Sequence, residues 1–154
     1  MYLPDSNFFI RLANRNDAQR PIALSALQVL RAQGEVICYT PQILAEFWNV
    51  CTRPSTARGG LGLSVEQTEK KVRVMERHFR LLPDNLQTFQ EWRRLVLLHS
   101  VQGVQVHDTK LVASMLTYGV THFLTFNTKD FKRFSGIIVV DPATVQALPN
   151  APKT

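Results

Sequence analysis

Four short apolar runs, separated by helical patterns, constrain this chain more than any other feature. Tyr2-Leu3 begins the first. Val36-Ile37-Cys38-Tyr39 is the second, entered after Gly34 and ended by Thr40-Pro41. His122-Phe123-Leu124-Thr125-Phe126 is the third, and Ile137-Ile138-Val139-Val140, between Gly136 and Asp141-Pro142, is the fourth. Continuous β-rich runs of this length suit parallel strands covered on both faces.

The intervening segments have the period of helices. Ile22 to Ala32 carries Ile22, Ala23, Ala26, Leu27 and Leu30 on one face, with Gly34 as a stop. Thr40-Pro41 is a cap and first-turn pair for a helix through Val50. Ser64 and Gln67 form a capping box for a helix toward His78. Asn85 to His99 predicts a further helix, with Leu86, Phe89, Trp92, Val96 and Leu97 on one side. His107 to Tyr118 is another, with Leu111, Val112, Met115 and Leu116 inward and Gly119 ending it. Strand–helix alternation of this kind predicts an α/β domain with a central, mainly parallel sheet flanked by helices. We expect a single domain over residues 1–148 and a disordered tail over 149–154.

A chain of 154 residues with 45% hydrophobic and 19% charged residues can bury a proper core. No apolar run approaches the roughly 20 residues that span a bilayer. The N-terminus has no basic region followed by a signal-peptide core, so a cytoplasmic, non-membrane protein is expected. Cys38 and Cys51 read as reduced core thiols, and no Cys/His spacing suits zinc. A net charge of +6 favours a polyanionic partner such as nucleic acid. The segment from Thr52 through Gly62 reads as a mobile surface connection whose Arg53 and Arg58 are candidates for contacting RNA or a partner.

Four carboxylates stand in unusual company. Asp5 follows the first apolar run directly, and Asp130 follows the third. Glu46 lies mid-helix within Ile43-Leu44-Ala45-Glu46-Phe47-Trp48, with no nearby cation in the sequence. Asp108 opens a helix and shares the face of Leu111. Each has a plain alternative: Asp5 as a loop residue accepting backbone N–H bonds, Asp108 as an N-cap, Asp130 as a turn residue. Taken together they point elsewhere, because ligands of an open parallel sheet bind beyond the carboxyl ends of its strands. Crowded carboxylates repel, and a hard divalent cation such as Mg²⁺ or Mn²⁺ is their natural counter-charge. Such a metal activates water and stabilises charge on a phosphodiester.

At these residues the chain resembles PIN-domain ribonucleases, most closely the VapC-type toxins of toxin–antitoxin pairs. The resemblance rests on Leu3-Pro4-Asp5-Ser6-Asn7-Phe8-Phe9-Ile10, Ile43-Leu44-Ala45-Glu46-Phe47, His107-Asp108-Thr109-Lys110-Leu111-Val112-Ala113 and Leu124-Thr125-Phe126-Asn127-Thr128-Lys129-Asp130-Phe131. It implies a PIN fold and metal-dependent hydrolysis of single-stranded RNA, leaving a 5′-phosphate and a 3′-hydroxyl. By match to the motifs, Asp5 and Asp108 would be the principal Mg²⁺ or Mn²⁺ ligands, completed by Glu46. Asp130 would be the fourth acid, with Asn127 a water- or metal-orienting neighbour. Ser6, Asn7 and Thr125 would hold carboxylates or the substrate phosphate. A cognate antitoxin and a homodimer are implied on the same grounds. Pro4 departs from the aliphatic residue usual in the family and removes a backbone donor beside Asp5.

Two other readings compete. A catalytically silent PIN-like module that binds RNA or protein would show metal binding without RNA cleavage. A phosphatase with an aspartyl nucleophile would trap phosphate on Asp5, although Asn7 stands where such enzymes commonly carry a second aspartate.

Overall fold

A computed structural model describes residues 1–146, so the expected tail over 149–154 lies outside the described residues. The elements run β1 (Tyr2–Pro4), α1 (Ser6–Ala13), α2 (Arg20–Ala32), β2 (Cys38–Tyr39), α3 (Pro41–Thr52), α4 (Val65–His78) and β3 (Arg80–Leu81). There follow α5 (Leu86–Leu98), α6 (Gln105–Tyr118), β4 (His122–Leu124) and β5 (Ile138–Val140). Single 3₁₀ turns, Thr128–Phe131 and Pro142–Thr144, flank β5.

All strand pairings are parallel. β4 lies between β1 and β5, β2 pairs with β3, and a bridge from Tyr2 to Ile37 joins the two groups. The carboxyl ends of the strands therefore share one edge. Four of the strands coincide with the apolar runs. β3 does not: both its residues are exposed, and it directly follows α4. It is defined by Arg80 N–H donating to Ile37 O and Leu82 N–H donating to Tyr39 O.

The helix signals are realised closely. Thr40 Oγ1 accepts from Ile43 N–H with Pro41 in the first turn, and Ser64 and Gln67 complete a reciprocal capping box. Gly119 ends α6 at φ 65°, a left-handed conformation that favours glycine. α6 itself begins at Gln105, two residues before the expected start, and no side chain caps it.

The face of α5 differs from expectation. Leu86, Phe89 and Leu97 are 70%, 50% and 73% exposed, whereas Thr88 and Leu95 are buried against the rest of the fold. Trp92 remains partly inside, its Nε1 donating to Val106 O at 3.0 Å. Apolar spacing alone marks the stripe of Leu86, Phe89 and Leu97, whereas docking against α6 buries the face of Thr88 and Leu95. The core also encloses Cys38 and Cys51, both free thiols. Among the described residues no helix is long and apolar enough to cross a membrane.

The Pro4 substitution fits its place. Tyr2 N–H donates to Val36 O on the β2 side, and Asp5 N–H donates to Leu124 O on the β4 side at 3.0 Å. Alternation along the strand puts the missing Pro4 donor on the β2 side, where only the Tyr2–Ile37 bridge extends the pairing. The bond that positions Asp5 is intact.

Candidate active site

Asp5 occupies the junction between β1 and α1. It is only 8% exposed, and both carboxylate oxygens are hydrogen-bonded. Oδ1 accepts from Phe8 N–H at 2.8 Å, making Asp5 the N-cap of α1. Oδ2 accepts from Thr125 Oγ1 at 2.6 Å. Thr125 follows β4 as Asp5 follows β1, so pairing of these neighbouring strands brings together residues 120 apart in sequence. Thr125 Oγ1 in turn accepts from Asn127 N–H at 3.0 Å.

Asp5 thus combines the modest role with an unusual one. A capping carboxylate on a surface helix gains from the N-terminal N–H groups and stays easily ionised. Here burial opposes that and dominates. It pushes the carboxyl up to about 6, against the lowering effects of Thr125, Phe8 N–H and Arg11. Glu46 pushes in the same direction as burial. Among the described residues no cation lies within ion-pair distance of Asp5.

Glu46, one turn further along α3 than Gln42, is held by it. Gln42 Nε2 donates to Glu46 Oε1 at 2.8 Å and to His107 O at 3.1 Å. The two acceptors fix the amide orientation and tie α3 to the first turn of α6. Gln42 Oε1 is left buried with no hydrogen-bond partner. Gln42 was not among the residues singled out from sequence. The signal was present in its four-residue spacing from Glu46 on a helix.

Asp108 lies in the first turn of α6, half-buried, and is not an N-cap. Its carboxyl is raised by burial, then by the charges of Asp130 and Glu46, and lowered less by His107 and Arg133. Asp130 is exposed on the 3₁₀ turn beyond β4, where Asn127 Nδ2 donates to its Oδ2. Asn127 therefore links Thr125, and through it Asp5, to Asp130.

The fold brings Asp5, Glu46, Asp108 and Asp130 into one electrostatic neighbourhood at the carboxyl edge. Asn127 and Thr125 belong to it by hydrogen bonds. Ser6 and Asn7 sit in the first turn of α1 beside Asp5, and neither side chain donates to a carboxylate among the described hydrogen bonds. No three His, Cys, Asp or Glu side chains among the described residues form a tight, ready-made metal cage. The donor chemistry nonetheless fits a hard cation. The available ligands are all carboxylate oxygens; Asp5 is raised in pKa by burial and then by Glu46, and Asp108 by burial and then by Asp130 and Glu46. Carboxylates perturbed by burial and by like charges are candidate functional-site residues.

A family model described as PIN domain matches residues 2–137. No curated protein matches the chain significantly. Among solved structures, VapBC2 from Rickettsia felis, bound to a DNA fragment from its promoter, superposes with a TM-score of 0.66 at 17% identity, covering 91% of this chain and 97% of that one. VapC20 of Mycobacterium tuberculosis, a toxin described as cleaving the sarcin-ricin loop, gives 0.66 at 16% identity, covering 90% and 97%. FitAcB from Neisseria gonorrhoeae gives 0.63 at 16% identity, covering 92% and 98%. At such identities these likenesses establish a shared fold.

Proposed function

The chain belongs to the PIN-domain family, and from that premise we propose that it is a metal-dependent endoribonuclease, the VapC-type toxin of a toxin–antitoxin pair. The observation that carries the reading is Asp5. It is a buried carboxylate held by two hydrogen bonds at the strand edge, beside further acids and, among the described residues, with no cation at ion-pair distance. The fold neighbours that are toxins or toxin–antitoxin assemblies support it, including one described as cleaving the sarcin-ricin loop.

In this reading Asp5 and Asp108 would hold Mg²⁺ or Mn²⁺, with Glu46 completing the set. The cation would supply water activation and neutralise charge on the phosphodiester. The chain's own residues supply position. Phe8 N–H and Thr125 aim the Asp5 carboxylate, Gln42 aims Glu46, and Asn127 restrains Asp130. Asp108 is raised by burial first and then by the charges of Asp130 and Glu46.

The antitoxin and a second copy of the chain are the proposed partners. An open cleft of about 810 Å³ between α1, α2 and α4, floored by Phe9, Leu27 and Met75 and rimmed by Arg20, Arg31 and Lys71, is a candidate seat for an antitoxin segment. The exposed Leu86, Phe89, Leu97 and Leu98 of α5 are candidate dimer surface. A cytoplasmic location goes with an RNA substrate.

The test is cleavage of RNA by the purified protein. EDTA should abolish it and Mg²⁺ or Mn²⁺ restore it. Asp5→Asn and Asp108→Asn should be folded by circular dichroism and inactive. Full activity in either folded variant would overturn the assignment. One observation favours a rival: the loose spacing of the acids suits a PIN-like binding module. Calorimetric metal binding with no cleavage of any RNA offered would support that rival. The aspartyl-phosphatase reading is weaker, since both Asp5 oxygens are engaged and Asn7 is exposed.

A further inference from the structure

Segment 53–62 does not hang free of the fold. Arg53 caps α3, its carbonyl accepts from Gly62 N–H at 2.8 Å, and its Nη1 donates to Arg58 O at 3.0 Å. Leu61 N–H and Leu63 N–H return to the carbonyls of Val50 and Cys51 at 3.1 and 2.9 Å. Gly60 is required at the crossing, because a Cβ there would lie 2.2 Å from Pro54 O. The result is a hook folded back on the end of α3, with Arg58 exposed on it.

This hook closes one side of a groove of about 380 Å³ against α1, lined by Asn7, Arg11, Asn14, Asp17, Arg53 and Arg58 among others. Arg11 is the fixed point. Its guanidinium lies 4.7 Å from the Phe126 ring centroid, and Phe126 stacks on Phe8. Its Nη1 reaches Asp17 Oδ1 at 3.3 Å, while its Nε is buried without a partner. Asp17 is the sole acid of the groove among the described residues and is already shared with Arg11 and with Gln19 N–H. Three guanidinium groups and two amides thus line a channel that begins at Asn7, two residues from Asp5.

We propose that this groove binds backbone phosphates of single-stranded RNA beside the bond to be cut. The proposal rests on the ribonuclease reading above. A polyanion brought to a cluster of four carboxylates is repelled by them, and cations along its path must offset that repulsion. Guanidinium groups do so with paired N–H donors matched to phosphate oxygens. Asn7 and Asn14 add neutral donors suited to phosphate or ribose. Such contacts position a strand without reading its bases.

The experiment uses the full chain carrying Asp5→Asn, fluorescently labelled poly(U) RNA, and anisotropy titrations over a range of salt. Arg58 makes no side-chain hydrogen bond among the described residues, so Arg58→Glu should fold normally; Arg53→Gln is the second variant. Arg58→Glu should weaken binding about tenfold, and each lost phosphate contact should flatten the log–log salt slope by about 0.7. Arg58→Lys should recover most of the affinity. In the active protein Arg58→Ala should raise KM and leave kcat nearly unchanged. If Arg58→Glu and Arg53→Gln bind with unchanged affinity and slope while the parent protein cleaves RNA, the groove proposal fails and the ribonuclease reading stands. If they instead lose only binding to a poly-glutamate peptide, the groove belongs to an acidic protein segment and the proposal is likewise overturned. If the parent protein neither binds nor cleaves RNA, both fall.

Discussion

Asp5 and Asp130 belong to one acidic neighbourhood, linked through Thr125 and Asn127, and are built by opposite means. Asp5 is placed by a strand, a helix cap and a neighbouring strand, and loses its water in the process. Asp130 is placed by a single 3₁₀ turn and one amide, and keeps its water. Position and solvation trade against each other. The more rigidly a carboxylate is held at the sheet edge, the more its ionised form costs and the more a divalent cation gains there. Asp108 and Glu46 lie between these extremes, each half-buried on a helix.

The sharpest way to break the contrast is Asp5→Asn. It should lower RNA cleavage by roughly a thousandfold or more, about 4 kcal/mol of transition-state stabilisation. The same change should stabilise the metal-free fold at neutral pH. Burial pushes the folded-state carboxyl of Asp5 up to about 6, above the ordinary aspartate value of 3.8. The protonated form's contribution is therefore fully present below about pH 4 and lost as pH rises through about 6. Denaturant unfolding in EDTA should show the wild type losing of order 2 kcal/mol across that window, and Asp5→Asn losing much less. Asp108, also raised, contributes in the same direction. Added Mg²⁺ should restore stability to the wild type at pH 7 and leave Asp5→Asn unmoved. A flat difference between the two proteins from pH 4 to 7 would contradict the assigned burial.

Thr125→Val comes next. It leaves Asp5 Oδ2 and the Asn127 N–H without their shared hydroxyl. Activity should fall about 10- to 100-fold, as for other groups that orient a metal ligand. Thermal melts should show about 1–3 kcal/mol of lost stability. Gln42→Ala should act on Glu46 more mildly, about tenfold in activity. Gln42→Glu should do worse than alanine, because it sets a second charge against Glu46 and the His107 carbonyl. Asp130→Asn is the smallest: stability within about 0.5 kcal/mol, and a loss of activity well below that of Asp5→Asn. Equal losses at Asp5 and Asp130 would show that solvation does not distinguish the two acids.

Much of this was legible in sequence because its signals are local. Caps such as Thr40-Pro41 and Ser64 with Gln67 act within one turn, and apolar runs report burial directly. Parallel strands then force Asp5 and Thr125 to one edge, so the meeting of this carboxylate and this hydroxyl followed from topology. Only tertiary structure decided the remainder. β3 exists through its ladder to β2, since Arg80 and Leu81 carry no strand pattern of their own. Apolar spacing marks the α5 stripe of Leu86, Phe89 and Leu97, but packing in the fold buries Thr88 and Leu95 instead. The segment from Arg53 to Gly62 reads as a loose, glycine-rich loop, yet hydrogen bonds to the end of α3 fold it into a hook. Gln42 became part of the site when α6 brought the His107 carbonyl within reach. In each case the deciding partner comes from another segment of the chain, and that pairing is invisible to any pattern read over a few neighbouring residues.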